Sequence, residues 1–317
     1  MIFFKTPSFW YRKPNFLQKL LLKPISQLYQ CISEKNYRKK YKYKSKFRVI
    51  AIGGMTVGGS GKTPVVESIC NIIKSNKQTV AVLSRGFGRS SKETLEVNNL
   101  SHSYKDVGDE ALMLSRSVPV YVGKDREKSA KLAELKKFDF LILDDGLMQR
   151  SLKPDIRLVV IDAQQGLGNG ELFPLGPNRL NFSLINDDIE GVIILNGNID
   201  FMLEKIPVFH GDFQYDFSQI KERILVFCGL GHPEKFFNAL SSFSIAKKVV
   251  FPDHYPFSEE DIQKLISESK SLEATLVTTE KDLVRIPLKY QSLISTVPIS
   301  IKWKENDALL KFFSREG

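Results

Sequence analysis

The sequence predicts an α/β protein whose core is a mainly parallel sheet flanked by helices. Two observations carry that expectation. Short β-branched apolar runs recur between helix-length segments, and the first of them ends in a dense cluster of glycines. Continuous apolar runs this short do not suit core helices, and they lack the alternation of half-exposed strands. They fit strands buried on both faces of a parallel sheet.

In chain order the runs are Val49 to Ile52, Val80 to Leu83, Val118 to Val122, Phe140 to Leu143, Leu158 to Ile161 and Val192 to Leu195. A second series follows at Ile224 to Phe227, Val249 to Phe251 and Leu276 to Thr278. Between the last two, Ser258 followed by Glu259, Glu260 and Asp261 has the form of an N-cap with an acidic first turn. Apolar periodicity fades over 205–222, which places a boundary and a candidate hinge there. The expected organisation is a core over 47–208 and a smaller α/β domain over 209–317.

Residues 1–46 read differently. The net charge of the 317 residues is +10, yet this segment alone holds twelve lysines and arginines against the single Glu34. The remainder of the chain is therefore close to neutral. Phe3, Phe4, Trp10, Tyr11, Phe16, Leu17, Leu20, Leu21, Leu22, Ile25, Leu28 and Tyr29 interleave with the cations, broken by Lys19, Lys23 and Pro24. A bilayer span needs about 20 predominantly apolar residues, so the segment is expected to lie on an anionic membrane surface as an interfacial helix. A helix packed on the core, a nucleic-acid arm and an import presequence are the competing readings. A nucleic-acid partner is disfavoured because the basic character stops at residue 46. No secretory signal is evident, and no obligate protein partner is implied. Cys31, Cys70 and Cys228 form no CxxC pair, which fits a reducing compartment.

The first strand runs into Gly53-Gly54-Met55-Thr56-Val57-Gly58-Gly59-Ser60-Gly61-Lys62-Thr63-Pro64. A strand, a glycine loop and a helix start in this order form a P-loop, in which backbone N–H groups wrap the phosphates of ATP. Residues 56–63 are the expected nucleotide contacts. Lys62 would reach the β- and γ-phosphates, and Thr63 would bind Mg²⁺ through its hydroxyl. The strict pattern has glycine where this chain has Thr56. Such a core draws a metal-binding acid from the end of a second buried strand, and Phe140 to Leu143 is followed by Asp144 and Asp145.

Two further clusters are candidates for the acceptor side: Gly108-Asp109-Glu110, and Gly166-Leu167-Gly168-Asn169-Gly170 ahead of Phe173-Pro174-Leu175-Gly176-Pro177. Taken alone, Asp109 and Glu110 read equally well as carboxylates favoured at a helix start. The four histidines, His102, His210, His232 and His254, show no metal-ligand spacing.

The composite pattern resembles the tetraacyldisaccharide 4′-kinases, the lipid A 4′-kinases of Gram-negative bacteria. The matching stretches are Thr56 to Pro64, Ser84-Arg85-Gly86-Phe87-Gly88, Gly108-Asp109-Glu110, Asp144-Asp145-Gly146-Leu147 and Gly168-Asn169-Gly170 through Pro177. They continue with Gly229 to Phe237, Phe251-Pro252-Asp253-His254 and Thr278-Thr279-Glu280-Lys281-Asp282. The resemblance implies transfer of the γ-phosphate of ATP, with Mg²⁺, to the 4′-hydroxyl of a tetraacylated glucosamine disaccharide 1-phosphate. It also implies work at the cytoplasmic face of the bacterial inner membrane as a peripheral protein. By the same resemblance Asp109 is the base that accepts the hydroxyl proton and His254 its orienting partner. Asp144 and Asp145 would hold Mg²⁺, with Glu110 a further contact. Arg85, Arg126, Gln149 and Asn169 are candidate substrate contacts, with surface salt-bridge duty an equal reading for both arginines.

The chain departs from the family at Met148-Gln149, where Gln-His is usual, and at Glu171, where a basic residue is common. The rival class is a membrane-associated partition-type ATPase switch. Val57 stands where that group carries its signature lysine, which counts against it.

Overall fold

The computed structural model describes residues 7–199 and 206–314. Phe3, Phe4 and Lys5 of the basic segment, and residue 205 of the expected hinge, lie outside those residues. The strands in chain order are β1 Arg48–Gly54, β2 Val80–Ser84, β3 Leu95–Glu96, β4 Val120–Val122, β5 Phe140–Asp144, β6 Ile156–Asp162, β7 Gly191–Leu195 and β8 Val208–Tyr215. They continue with β9 Arg223–Cys228, β10 Ser244–Val250, β11 Thr275–Thr279, β12 Ser295–Val297 and β13 Ile299–Trp303.

One sheet has nine strands in the order β13-β8-β7-β6-β1-β5-β2-β4-β3, and a second has four in the order β10-β9-β11-β12. The smaller sheet is parallel throughout. The larger is parallel except at its edges, where β3 and β13 run antiparallel to their neighbours. β1 is central, paired on either side with β5 and β6. Its residues Val49, Ile50, Ala51 and Ile52 are wholly buried, as helices covering both faces of a parallel sheet require.

The helix Lys62–Ser75 turns Val65, Val66, Ile69, Cys70, Ile72 and Ile73 onto this sheet. Full burial of one such aliphatic side chain contributes about 1.5–3 kcal/mol. That seam holds the start of the helix, and with it the glycine loop, rigidly over the end of β1.

Residues 209–215 and 299–303, which the expected partition assigns to the C-terminal domain, pair within the large sheet. The four-stranded sheet and its helices occupy 223–297. The chain leaves the large sheet after β8 and returns to it at β13.

The helix Phe16–Tyr37 starts at a capping box between Asn15 and Gln18. It is turned against the usual sense. Its buried residues are Ser26, Ser33 and Tyr37, while Phe16, Leu17, Leu20, Leu21, Ile25, Leu28 and Ile32 are exposed. Ser26 donates to the Leu172 carbonyl and accepts from the Leu175 N–H, both at 3.1 Å. Among the described residues no helix is long and apolar enough to cross a membrane.

Candidate active site

The carboxyl ends of β1, β2, β5 and β6 carry the glycine loop, Ser84, Asp144 and Asp162. In an open parallel sheet this edge is where ligands bind. The loop ends in Gly61, at φ 79°, where an added Cβ would stand 2.6 Å from Leu195 and 2.8 Å from Phe213. Only glycine fits there, because both the backbone conformation and the close neighbours exclude a side chain. Thr56 is tolerated for the opposite reason. It is not among the positive-φ residues, and it bridges to Asn178 while Val57 donates to the Pro177 carbonyl at 2.8 Å. The Lys62 ammonium lies 3.4 Å from the Ser60 hydroxyl and 4.0 Å from Asp145.

Asp144 is buried, and the Ser84 hydroxyl donates to it at 3.2 Å. Burial, with Glu110 and Asp145 close by, pushes its pKa up to about 7. A carboxylate so placed fits a cation site, since a divalent ion would relieve the cost of ionising it. Among the described residues no group of three His, Cys, Asp or Glu is placed to hold a metal alone.

The other expected metal contacts, Asp145 and Glu110, each have a cationic partner. Arg179 takes both oxygens of Asp145 at 2.7 and 2.8 Å, and Lys281 pairs with Glu110 at 3.0 Å.

The helix Asp109–Leu114 begins after Gly108, at φ 92°, where a Cβ would meet the Phe87 carbonyl at 2.8 Å. This close approach draws Asp109 under the loop that follows β2. Asp109 is 4% exposed, and His254 Nδ1 lies 2.7 Å from its Oδ2. Its Oδ1 accepts from the Glu110 N–H at 2.9 Å. Burial alone would raise the Asp109 pKa, but the His254 hydrogen bond and the charges of Lys281, His254 and Arg285 outweigh it and hold it at about 2.

His254 comes from the loop after β10 and has φ 56°, while Asp145 has φ 53°. A non-glycine residue in that region costs about 1–3 kcal/mol, and such residues cluster at functional sites. The Phe87 ring lies 5.3 Å from the His254 ring. The dyad and the P-loop acid therefore share one site: Glu110 bears on Asp144, and its neighbour Asp109 bonds His254.

Arg126 is buried under this cluster and donates to the Gly123 carbonyl. Burial lowers its pKa to about 10, against the opposing pull of Asp144. Its Nε has no hydrogen-bond partner. Arg85 is exposed, and its charge is felt at Arg126.

The remaining two substrate candidates, Gln149 and Asn169, hydrogen-bond within the protein. Gln149 spends its carboxamide on its own turn, accepting from Ser151 and Leu152 N–H groups and donating to the Leu152 carbonyl. Asn169 donates to the Phe9 and Leu175 carbonyls and accepts from the Glu171 N–H, tying its loop to the N-terminal segment. Trp10 adds to that tie, donating to the Pro174 carbonyl at 2.9 Å.

Lys281, Arg285 and Arg179 received no role from the sequence. Arg285 is 2% exposed, donates to the Tyr255 and Gly229 carbonyls, and pairs with Asp282. Its Nε stands 3.8 Å from Asp109. Lys281 and Asp282 sit directly after a buried strand, in a stretch already singled out. Charge at a strand's carboxyl end was the available signal.

A glycine loop on the central parallel strand, a buried acid at the next strand's end and a carboxylate–histidine dyad facing them define a P-loop kinase. The sequence model for tetraacyldisaccharide-1-P 4′-kinase matches residues 18–316. The chain belongs to the tetraacyldisaccharide 4′-kinase family.

A relative from Rhodopseudomonas palustris is 33% identical, with the alignment covering 97% of this chain and 94% of the relative. One from Rhodospirillum centenum is 31% identical over 96% and 94%. Both are named tetraacyldisaccharide 4′-kinase. Among solved structures, LpxK from Aquifex aeolicus in complex with ATP superposes with a TM-score of 0.78 at 27% identity, covering 95% of this chain and 99% of that one. Family membership sets the switch-ATPase reading aside.

Proposed function

We propose that the chain transfers the γ-phosphoryl group of ATP to the 4′-hydroxyl of a tetraacylated glucosamine disaccharide 1-phosphate. Asp109 is the base in this reading. The observation that carries it is the buried Asp109–His254 pair beside Asp144 and the P-loop.

The sugar oxygen forms the new bond to phosphorus as the bond from phosphorus to the ADP oxygen breaks. The hydroxyl proton passes to Asp109, and ADP leaves. A sugar hydroxyl is a weak nucleophile, so a carboxylate at hydrogen-bond distance contributes on the order of 10²–10⁴-fold. Lys62 and the loop N–H groups hold the phosphates and stabilise charge developing on them, which supplies most of the acceleration. Thr63 and Asp144 would hold Mg²⁺, which when bound neutralises phosphate charge. Arg126 and Arg85 add positive potential on the same side.

The inverted helix Phe16–Tyr37 supports work at an anionic membrane surface. Phe16 and Leu28 are 80% and 63% exposed, a cost in water that an acyl boundary removes. A multiply acylated acceptor leaves a bilayer at a cost of about 0.8 kcal/mol per CH₂, so the enzyme is expected to come to it, on the cytoplasmic face of the inner membrane.

The test is transfer of label from γ-labelled ATP to tetraacyldisaccharide 1-phosphate in detergent micelles, with and without Mg²⁺. A Mg²⁺-dependent labelled lipid is the expected product. ATP hydrolysis by folded protein with no labelled lipid would overturn the acceptor assignment.

A further inference from the structure

We infer that Lys281 is a positioning residue that fixes the tautomer of His254, and through it the orientation of the Asp109 base. The inference rests on the reading of Asp109 and His254 as the acceptor-side dyad and adds a third member that neither the family description nor the motif assigns.

Lys281 follows β11 at the start of the helix Glu280–Leu283. Its ammonium lies 3.0 Å from Glu110 Oε1 and 3.3 Å from His254 Nε2. Partial burial would lower the lysine pKa, but Glu110, Asp109 and Asp253 outweigh it and raise it above the ordinary value. Lys281 is therefore a cation with donors and no acceptor. An imidazole nitrogen at 3.3 Å from it must present its lone pair.

The ring proton then resides on Nδ1, which donates to Asp109 Oδ2 at 2.7 Å. Asp253 offers the alternative of a protonated Nε2, but it stands 3.9 Å away, beyond hydrogen-bond distance. Arg285, 3.8 Å from the same Asp109 oxygen, and the Phe87 ring complete the surroundings of the pair.

This arrangement has a chemical consequence. With Nε2 occupied by an ammonium and Nδ1 already protonated, His254 has no free site for the hydroxyl proton. The proton goes to Asp109, and His254 only aims and polarises it. Were the proton on Nε2, the Nδ1 lone pair would face the Asp109 carboxylate and the pair would repel. The tautomer a histidine adopts is set by what its other nitrogen contacts. Here that contact and His254 itself both follow strands of the four-stranded sheet, while the base lies between β3 and β4 of the nine-stranded one.

The experiment is nitrogen NMR of the full chain carrying labelled histidine, in the wild type, Lys281→Met and Lys281→Arg, with His254→Gln to assign the signal among the four histidines. In the wild type Nδ1 should be protonated and Nε2 bare near neutral pH. Lys281→Met should lose that tautomer and lower kcat by roughly 10–100-fold, the range for outer-shell partners that orient a histidine. The KM for the lipid should change little, and Lys281→Arg should restore both tautomer and rate. A protonated Nε2 in the wild type, or an unchanged tautomer in folded Lys281→Met, would overturn the inference. If Lys281→Met does not fold, Lys281→Gln takes its place, and an unchanged tautomer and rate in that folded variant would equally overturn the inference. A wild type that transfers no phosphate to lipid would remove the acceptor reading without moving the spectrum.

Discussion

Asp109 and His254 stand 145 residues apart in the chain and meet at 2.7 Å across the seam between the two sheets. Two ion pairs bridge the same seam, Glu110 with Lys281 and Asp162 with Lys235. All three join groups at or beyond strand ends of one sheet to groups of the other. The seam is therefore polar and ordered by charge, with the reacting pair in its interior.

Asp109→Asn is expected to cut kcat by about 10²–10⁴-fold, the range for a lost general base, while ATP affinity stays close to wild type. Equilibrium nucleotide binding and single-turnover transfer check the two halves. Full turnover in the variant would remove Asp109 from the chemistry.

Asp144 sets a pH dependence whose sign follows from its raised pKa. Its stabilising contribution is complete below the unfolded carboxylate range and is lost as pH rises through about 7. Asp144→Asn should accordingly be more favourable to the melting temperature of the ligand-free protein at pH 8 than at pH 5. In turnover the acidic limb near pH 7 should move to lower pH as Mg²⁺ is raised, because the cation favours the carboxylate. Asp109, held at about 2, stays ionised across this range and contributes no limb. A limb indifferent to Mg²⁺ would contradict the assignment of Asp144.

Lys235→Met leaves Oδ2 of the buried Asp162 without its cation, while Oδ1 keeps the Gln164 N–H at 3.1 Å. The cost of a buried, unsatisfied group is about 1–3 kcal/mol, more for a charged one. Denaturant unfolding should show that loss, and Lys235→Met with Asp162→Asn should recover part of it. Equal stability of single and double variants would mean the pair does not couple the sheets.

Leu21→Asp with Leu28→Asp should weaken flotation with anionic vesicles and leave ATP binding and stability intact, since both side chains are exposed. Retained vesicle binding would place the membrane contact elsewhere. A marked loss of stability would show that this face packs within the protein.

The parallel core was legible because a doubly buried strand can be little other than an unbroken apolar run. β1, β2, β5, β6, β7, β9 and β11 all announced themselves that way. The edge strands β3 and β13, and β8 beside β13, did not. β8 contains His210, Gly211, Asp212 and Gln214, and its exposure is mixed along its length. Its membership of the large sheet comes from pairing with β7 and β13, which no local pattern encodes. The inverted helix was half legible. Its leucines and cations were plain, but that Ser26 and Ser33 would be the buried residues depends on the carbonyl and N–H of a loop about 146–149 residues away.

By itself the sequence determined the P-loop, the acid after the fourth apolar run, the basic amphipathic start and, through its ordered motifs, the family. Each of these is local, written in consecutive residues whose backbone geometry or charge leaves few alternatives. Tertiary structure alone decided how the carboxylates are shared. Asp145 goes to Arg179, Glu110 to Lys281 and Asp109 to His254, while Asp144 keeps a serine hydroxyl and a raised pKa. Coulomb energy and desolvation depend on distance and burial, and chain separation does not report either one.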